Sequence, residues 1–221
     1  MSATYPGPNE EMLAAQARVC TGPHQSRPLG LKEGDPDPVR ILELVFASLK
    51  GDLPREEQVS EAQMGAFFAA MSIRRRFGVK TGWSQAEEEA FERHWDKLEQ
   101  MPDELRFLLD IQSDFAGHTE GEGRVVMALR LILRGGHLSY AAALTALGAV
   151  LEGEVRPSLM AALLIGQRMN IEAEEEVRAH RDAVWSPEEV LPLNVESLGH
   201  FGHPFDGARR YFRPTLFVAA V

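Results

Sequence analysis

The sequence holds a single cysteine, Cys20. One thiol can build neither an intrachain disulfide nor a cysteine-based zinc site, which fits a reducing compartment. Cations are scarce as well: 23 Lys and Arg stand against 33 Asp and Glu, a formal net charge of -10. That balance argues against a general nucleic-acid or anionic-membrane surface, so neither is expected as a partner. No apolar run approaches the roughly 20 residues that cross a bilayer. The N-terminus, with Pro6, Pro8, Glu10 and Glu11, lacks the basic and apolar parts of a secretory signal, and the expected location is the cytoplasm. Strand-like alternation is missing before about residue 190.

What the chain does have is helical periodicity. At 44% hydrophobic and 25% charged, its 221 residues suffice for a folded core of one or two domains. Ile41, Leu42, Val45, Phe46 and Leu49 recur on one helix face, and Gly51 stands where a C-terminal cap belongs. A second helix is expected over residues 63–77, with Met64, Phe67, Phe68, Met71 and Ile73 on its apolar side and Arg74, Arg75 and Arg76 as cations at its C-terminal end. Ser84, with Glu87 and Glu88 after it, reads as the cap of an acidic helix carrying Phe91, Trp95 and Leu98. Pro102 opens another, and residues 125–133, 139–151, 159–169 and 173–184 give four more. The glycines of residues 117–123 read as a flexible connection between two helical sets, and residues 1–38, mixed in Pro, Gly and Asp with one short helix over residues 9–19, as a flexible arm.

A faint echo links the sets. Leu42, Ala47, Leu49 and Gly51 align with Leu144, Ala149, Leu151 and Gly153, and Met64 with Met160. Any amphipathic hairpin shares part of that pattern, so both a duplication and an unrelated first set remain open here.

The second set carries a more specific likeness. Leu138-Ser139-Tyr140 with Leu144, then Leu151-Glu152-Gly153-Glu154-Val155, then Leu159 through Gly166-Gln167-Arg168-Met169, resembles the N-terminal helical domain of the glycosyltransferase family that includes anthranilate phosphoribosyltransferase and the pyrimidine nucleoside phosphorylases. The likeness spans residues 138–184, and those residues are largely structural in that family. It implies a mainly α protein: a helical bundle followed by the first strand and loop of an α/β domain, truncated here. The corresponding division is an arm at 1–38, a first helical set at 39–116, a second at 117–189 and the start of the phosphoribosyl-binding domain at 190–221.

In that family the next loop reads Gly-Thr-Gly-Gly-Asp-Gly and cradles phosphoribosyl pyrophosphate. Here it reads Gly202-His203-Pro204-Phe205-Asp206-Gly207. Gly202, Asp206 and Gly207 match, while Pro204 offers no amide hydrogen and Phe205 resists positive φ where the family has glycines. Thr215 lies near the position of the hydroxyl pair that follows the loop, and Arg209, first of the three arginines Arg209, Arg210 and Arg213, is the nearest cation for a phosphate. A metal reading of His200, His203 and Asp206 matches no closed motif.

The resemblance implies transfer of a phosphoribosyl group to an aromatic amine, with magnesium serving the full-length family and none bound by this chain alone. The resemblance to anthranilate phosphoribosyltransferase implies tryptophan biosynthesis as the setting. Catalytic residues are expected beyond Val221, so no activity is expected of the chain by itself. A homodimer through the helical domain is the expected assembly, and a non-catalytic helical dimerisation or regulatory module is the alternative.

Overall fold

A computed structural model of the protein describes residues 8–184. Among the described residues the regular elements are ten helices: α1 (Glu10–Val19), α2 (Pro38–Lys50), α3 (Glu61–Arg74), α4 (Gln85–Arg93), α5 (Trp95–Leu98), α6 (Asp103–Leu109), α7 (Glu120–Ile132), α8 (Tyr140–Leu151), α9 (Pro157–Met169) and α10 (Glu174–Val184). The strand and loop expected over residues 190–221 lie outside the described residues.

The helices begin where polar side chains replace missing backbone partners. Ser60 and Ser84 each close a capping box, with Gln63 and Glu87 reaching back to the cap amide. Asp37, Thr119 and Ser139 cap α2, α7 and α8 through a side-chain oxygen. Gly51 ends α2 in the left-handed conformation, at φ 73°, as its position after Leu49 and Lys50 implies.

α3 is the central helix. Phe67, Phe68, Ala69, Ala70 and Met71 are consecutive and all buried. Five consecutive helical positions point to every side, so the apolar stripe expected from spacing is instead a buried cylinder. α1, α6 and α9 pack around it, α9 most extensively. The approach is a backbone one at Gly65, where a Cβ would lie 2.0 Å from the Ser158 carbonyl oxygen.

Two sequence expectations change. The segment before α2 is no loose arm over its described part. Met12, Ala15, Val19 and Leu29 are fully buried. Asn9 gives its amide to Gln63 Oε1 at 3.1 Å and its side-chain nitrogen to the Glu57 carbonyl at 2.6 Å. Gln63 Nε2 returns a bond to the Asn9 carbonyl at 3.0 Å. These partners lie some fifty residues away in sequence, which is why local composition read as an arm. Nor does the glycine-rich connection extend to residue 123. Glu120 opens α7, and a Cβ at Gly121 would lie 2.5 Å from Glu154 Cβ. Glycine there permits close packing of α7 on the turn after α8, where composition alone reads as freedom. One cluster of buried apolar side chains runs from Met12 through α3 and α9 to Ala179.

Candidate functional site

Buried charge is where chemistry is usually prepared, and the buried carboxylates among the described residues sit in the first turns of helices. Glu87, at the third position of α4, is fully buried and bound on both oxygens. It accepts from Arg74 at 2.6 and 3.0 Å, from the Ser84 amide at 2.8 Å and from the Leu29 amide at 3.1 Å. Arg74 is also fully buried and spends its remaining donors on the carbonyls of Thr81 and Gly82. Its role is therefore more than the dipole complement expected of a C-terminal arginine. Arg75 stacks over Trp83 instead, 4.6 Å from the ring centroid.

Glu176 occupies the same position in α10. It accepts from the Leu138 amide at 3.0 Å, the Ala173 amide at 2.8 Å and His137 Nδ1 at 3.2 Å. Burial pushes this carboxyl up, but the Leu138 and Ala173 amides outweigh it, and the group sits below the usual carboxylate range. His180 donates Nε2–H to Gln167 Oε1 at 2.9 Å, and burial holds its pKa below the ordinary imidazole value. Glu122 in α7 takes the His118 amide at 2.8 Å and Arg156 Nε at 2.7 Å, while Arg156 also meets Glu104 of α6 at 2.8 Å. Glu87, Glu122 and Glu176 are each held by several structural bonds.

The thiol of Cys20 points at the Ala66 carbonyl at 3.8 Å. Burial pushes it up to about 12, against a smaller pull from Arg74. It is a poor nucleophile. Among the described residues no group of three or more His, Cys, Asp and Glu is arranged to hold a metal. The buried carboxylates Glu87, Glu122 and Glu176 already accept N–H donors on their oxygens. Open depressions among the described residues include two between helices. One, of about 540 Å³, lies between α5 and the loop after α6, bordered by Trp95, Asp103, Arg106 and Ser113. The other, of about 490 Å³, is aromatic, with Trp83, Phe91 and Arg75 along its wall.

Gly202, Asp206, Gly207, Arg209 and Thr215, the predicted phosphoribosyl pyrophosphate contacts, all lie outside the described residues. What the sequence reading missed lies inside: the burial of Glu87 on Arg74, where the sequence showed only an acidic follower of the Ser84 cap, and the matching role of Glu176. Their signal is a glutamate three residues past a helix start, which Ser84 displays and Ala173, with no side-chain cap, hides.

No curated protein and no solved structure matches the chain. Residues 126–185 do match a family, described as the glycosyl transferase family, helical bundle domain. The match covers most of α7 and all of α8, α9 and α10. It begins twelve residues before the segment that carried the likeness in the sequence, taking in the helix that Glu122 anchors. Among the described residues no helix is long and apolar enough to cross a membrane. Over residues 126–185, then, the chain is similar to the helical bundle domain of a glycosyl transferase family.

Proposed function

We propose that the protein is the helical part of an anthranilate phosphoribosyltransferase-like glycosyltransferase, in which the bundle supports a phosphoribosyl-binding loop. The observation that carries this reading is the family match over residues 126–185. In support, the matched bundle lies directly before Gly202, Asp206 and Gly207 in the sequence. In such a transferase the bond from the ribose anomeric carbon to pyrophosphate breaks as the acceptor nitrogen attacks, through an oxocarbenium-like state. The protein's part is to position the reactants and stabilise charge on the departing pyrophosphate. Gly202 and Gly207 would let backbone approach a phosphate, Arg209 would offer a forked cation and Thr215 a hydroxyl. Magnesium belongs to the full-length enzyme on this reading, and the acceptor is an aromatic amine.

The chain by itself is inactive on this account. Incubated with phosphoribosyl pyrophosphate, magnesium and anthranilate, it releases no pyrophosphate above the rate without protein; turnover would contradict the assignment of catalysis to residues elsewhere. Binding is the positive test. A calorimetric titration with phosphoribosyl pyrophosphate gives a heat signal that Arg209→Ala weakens several-fold, and identical titrations of the two proteins would count against the loop.

A second reading is favoured by Pro204 and Phe205: the bundle persists as a non-catalytic pairing or regulatory module whose ligand loop has been lost. Replacing both with glycine separates the readings. A gain in phosphate-ligand affinity supports a degraded donor site, and no gain supports the module.

A further inference from the structure

The two halves of the bundle repeat one plan. α1 and α7 each run into a glycine turn at φ 86°, Gly22 and Gly135. Next comes a buried leucine, Leu29 or Leu138, whose amide bonds a buried glutamate far along the chain, Glu87 or Glu176. α2 and α8 then end alike. Asp52 N–H reaches the Ala47 carbonyl at 2.9 Å and Glu154 N–H the Ala149 carbonyl at 3.2 Å, around Gly51 at φ 73° and Gly153 at φ 75°. These are the pairs that the sequence echo aligned. α4 and α10 each place the glutamate at the third helical position, where it returns to the backbone amide just before the helix, that of Ser84 or Ala173.

The inner helices correspond as well. Aligned from their caps, Ser60 and Arg156, the buried α9 positions Leu159, Ala162, Leu163 and Gly166 fall on Gln63, Ala66, Phe67 and Ala70 of α3, all buried. Contacts between the halves are reciprocal. The turn after α1 reaches the end of α9, where a Cβ at Gly22 would lie 3.5 Å from the Met169 carbonyl oxygen. The turn after α7 reaches the end of α3, where a Cβ at Gly135 would run into the Arg76 guanidinium. The two contacts join like turns to like helix ends, through a backbone carbonyl in one case and a guanidinium in the other, and such reciprocity is the mark of a two-fold pair.

We infer that α1–α4 is a second copy of the four-helix unit α7–α10, and that it serves as a built-in partner occupying the α9 face, so that the pairing is completed within one chain. This stands independently of the substrate. It assigns a role to the half that the family match does not reach, and it replaces the homodimer expected through these helices with an internal pair.

The test reads whether the partner of α9 comes from the same chain. Val79, 96% exposed just past α3, and Leu164, 40% exposed on α9, are changed to cysteine in a Cys20→Ser background and labelled with a donor and acceptor dye. The labelled chain is unfolded in urea and refolded alone or with a large excess of unlabelled chain. Energy transfer is high and equal in the two samples if pairing is internal. A severalfold loss of transfer in the presence of unlabelled chain would mean that α3 and α9 pair between copies, and low transfer in the sample refolded alone would mean that they do not pair; either overturns the proposal.

Discussion

At the residue scale, the buried glutamates hold the bundle's loops to its helices. Removing Glu87 leaves Arg74 charged, buried and without its counter-ion, and breaking such a pair costs about 3–5 kcal/mol. Glu87→Ala is therefore expected to lower the urea midpoint sharply, whereas Glu88→Ala, one position on and exposed, leaves it nearly unchanged. Glu176 gives a pH signature. Its folded pKa lies below the ordinary carboxylate value near about 4.3, so its stabilisation is full above that value and is lost as pH falls through the folded pKa. In Glu176→Gln the loss of stability below about pH 4.3 is shallower than in the wild type, read by denaturant titrations at a series of pH values. Cys20 supplies a third check. With its pKa pushed up to about 12, it reacts slowly with a thiol reagent at pH 8 and at the rate of a free thiol once urea has unfolded the chain. Of these residues only Ser84 and its acidic followers were legible as a cap. Nothing local marks Leu29 and Leu138 as the far partners of Glu87 and Glu176, because those bonds span 58 and 38 residues.

At the scale of elements, helix positions were largely readable and helix surroundings were not. The spacing of Ile41, Leu42, Val45 and Phe46 and the glycine after Lys50 located α2, and Ser139 located the start of α8. α3 looked amphipathic because Met64, Phe67, Phe68 and Met71 dominate one face, yet Gly65, Ala66, Ala69 and Ala70 cover the others and are equally buried. Small residues carry little hydropathy and let a neighbouring backbone come close, so their burial escapes a pattern of large apolar side chains. Two glycine substitutions separate those roles. Gly65→Ala forces a Cβ against the Ser158 carbonyl and is expected to cost at least about 1–3 kcal/mol as α3 and α9 are pushed apart. Gly148→Ala, inside α8 with no atom within 4 Å of the added Cβ, is expected to stabilise by about 0.5–1 kcal/mol. Thermal midpoints of the two variants should move in opposite directions.

At the scale of the whole molecule, the sequence divided the helices into two sets, and the structure joins them along α3 and α9 in one continuous core. Residues 117–123 resembled a hinge because glycine serves both mobility and close approach, and composition cannot tell these apart. The duplication was visible only as scattered identities such as Ala47 with Ala149, since a repeat preserves its turn glycines and buried backbone contacts more faithfully than its side chains. The likeness of the second half to a glycosyl transferase helical bundle was legible in advance, because residues 138–184 keep the helix faces and the turn around Gly153 in order. The first half, with Phe67, Phe68 and Arg74 where the second has Leu163, Leu164 and Asn170, carries the same plan in other residues.

The account rests on two like halves held as one body, and native-state hydrogen exchange tests that most directly. Amides of α3 and α9 should exchange last and with the same dependence on urea, because opening either helix exposes the shared core and requires the global unfolding free energy. Exchange of α1–α4 at low urea while α7–α10 stays protected, or the reverse, would show two separately stable units and contradict it.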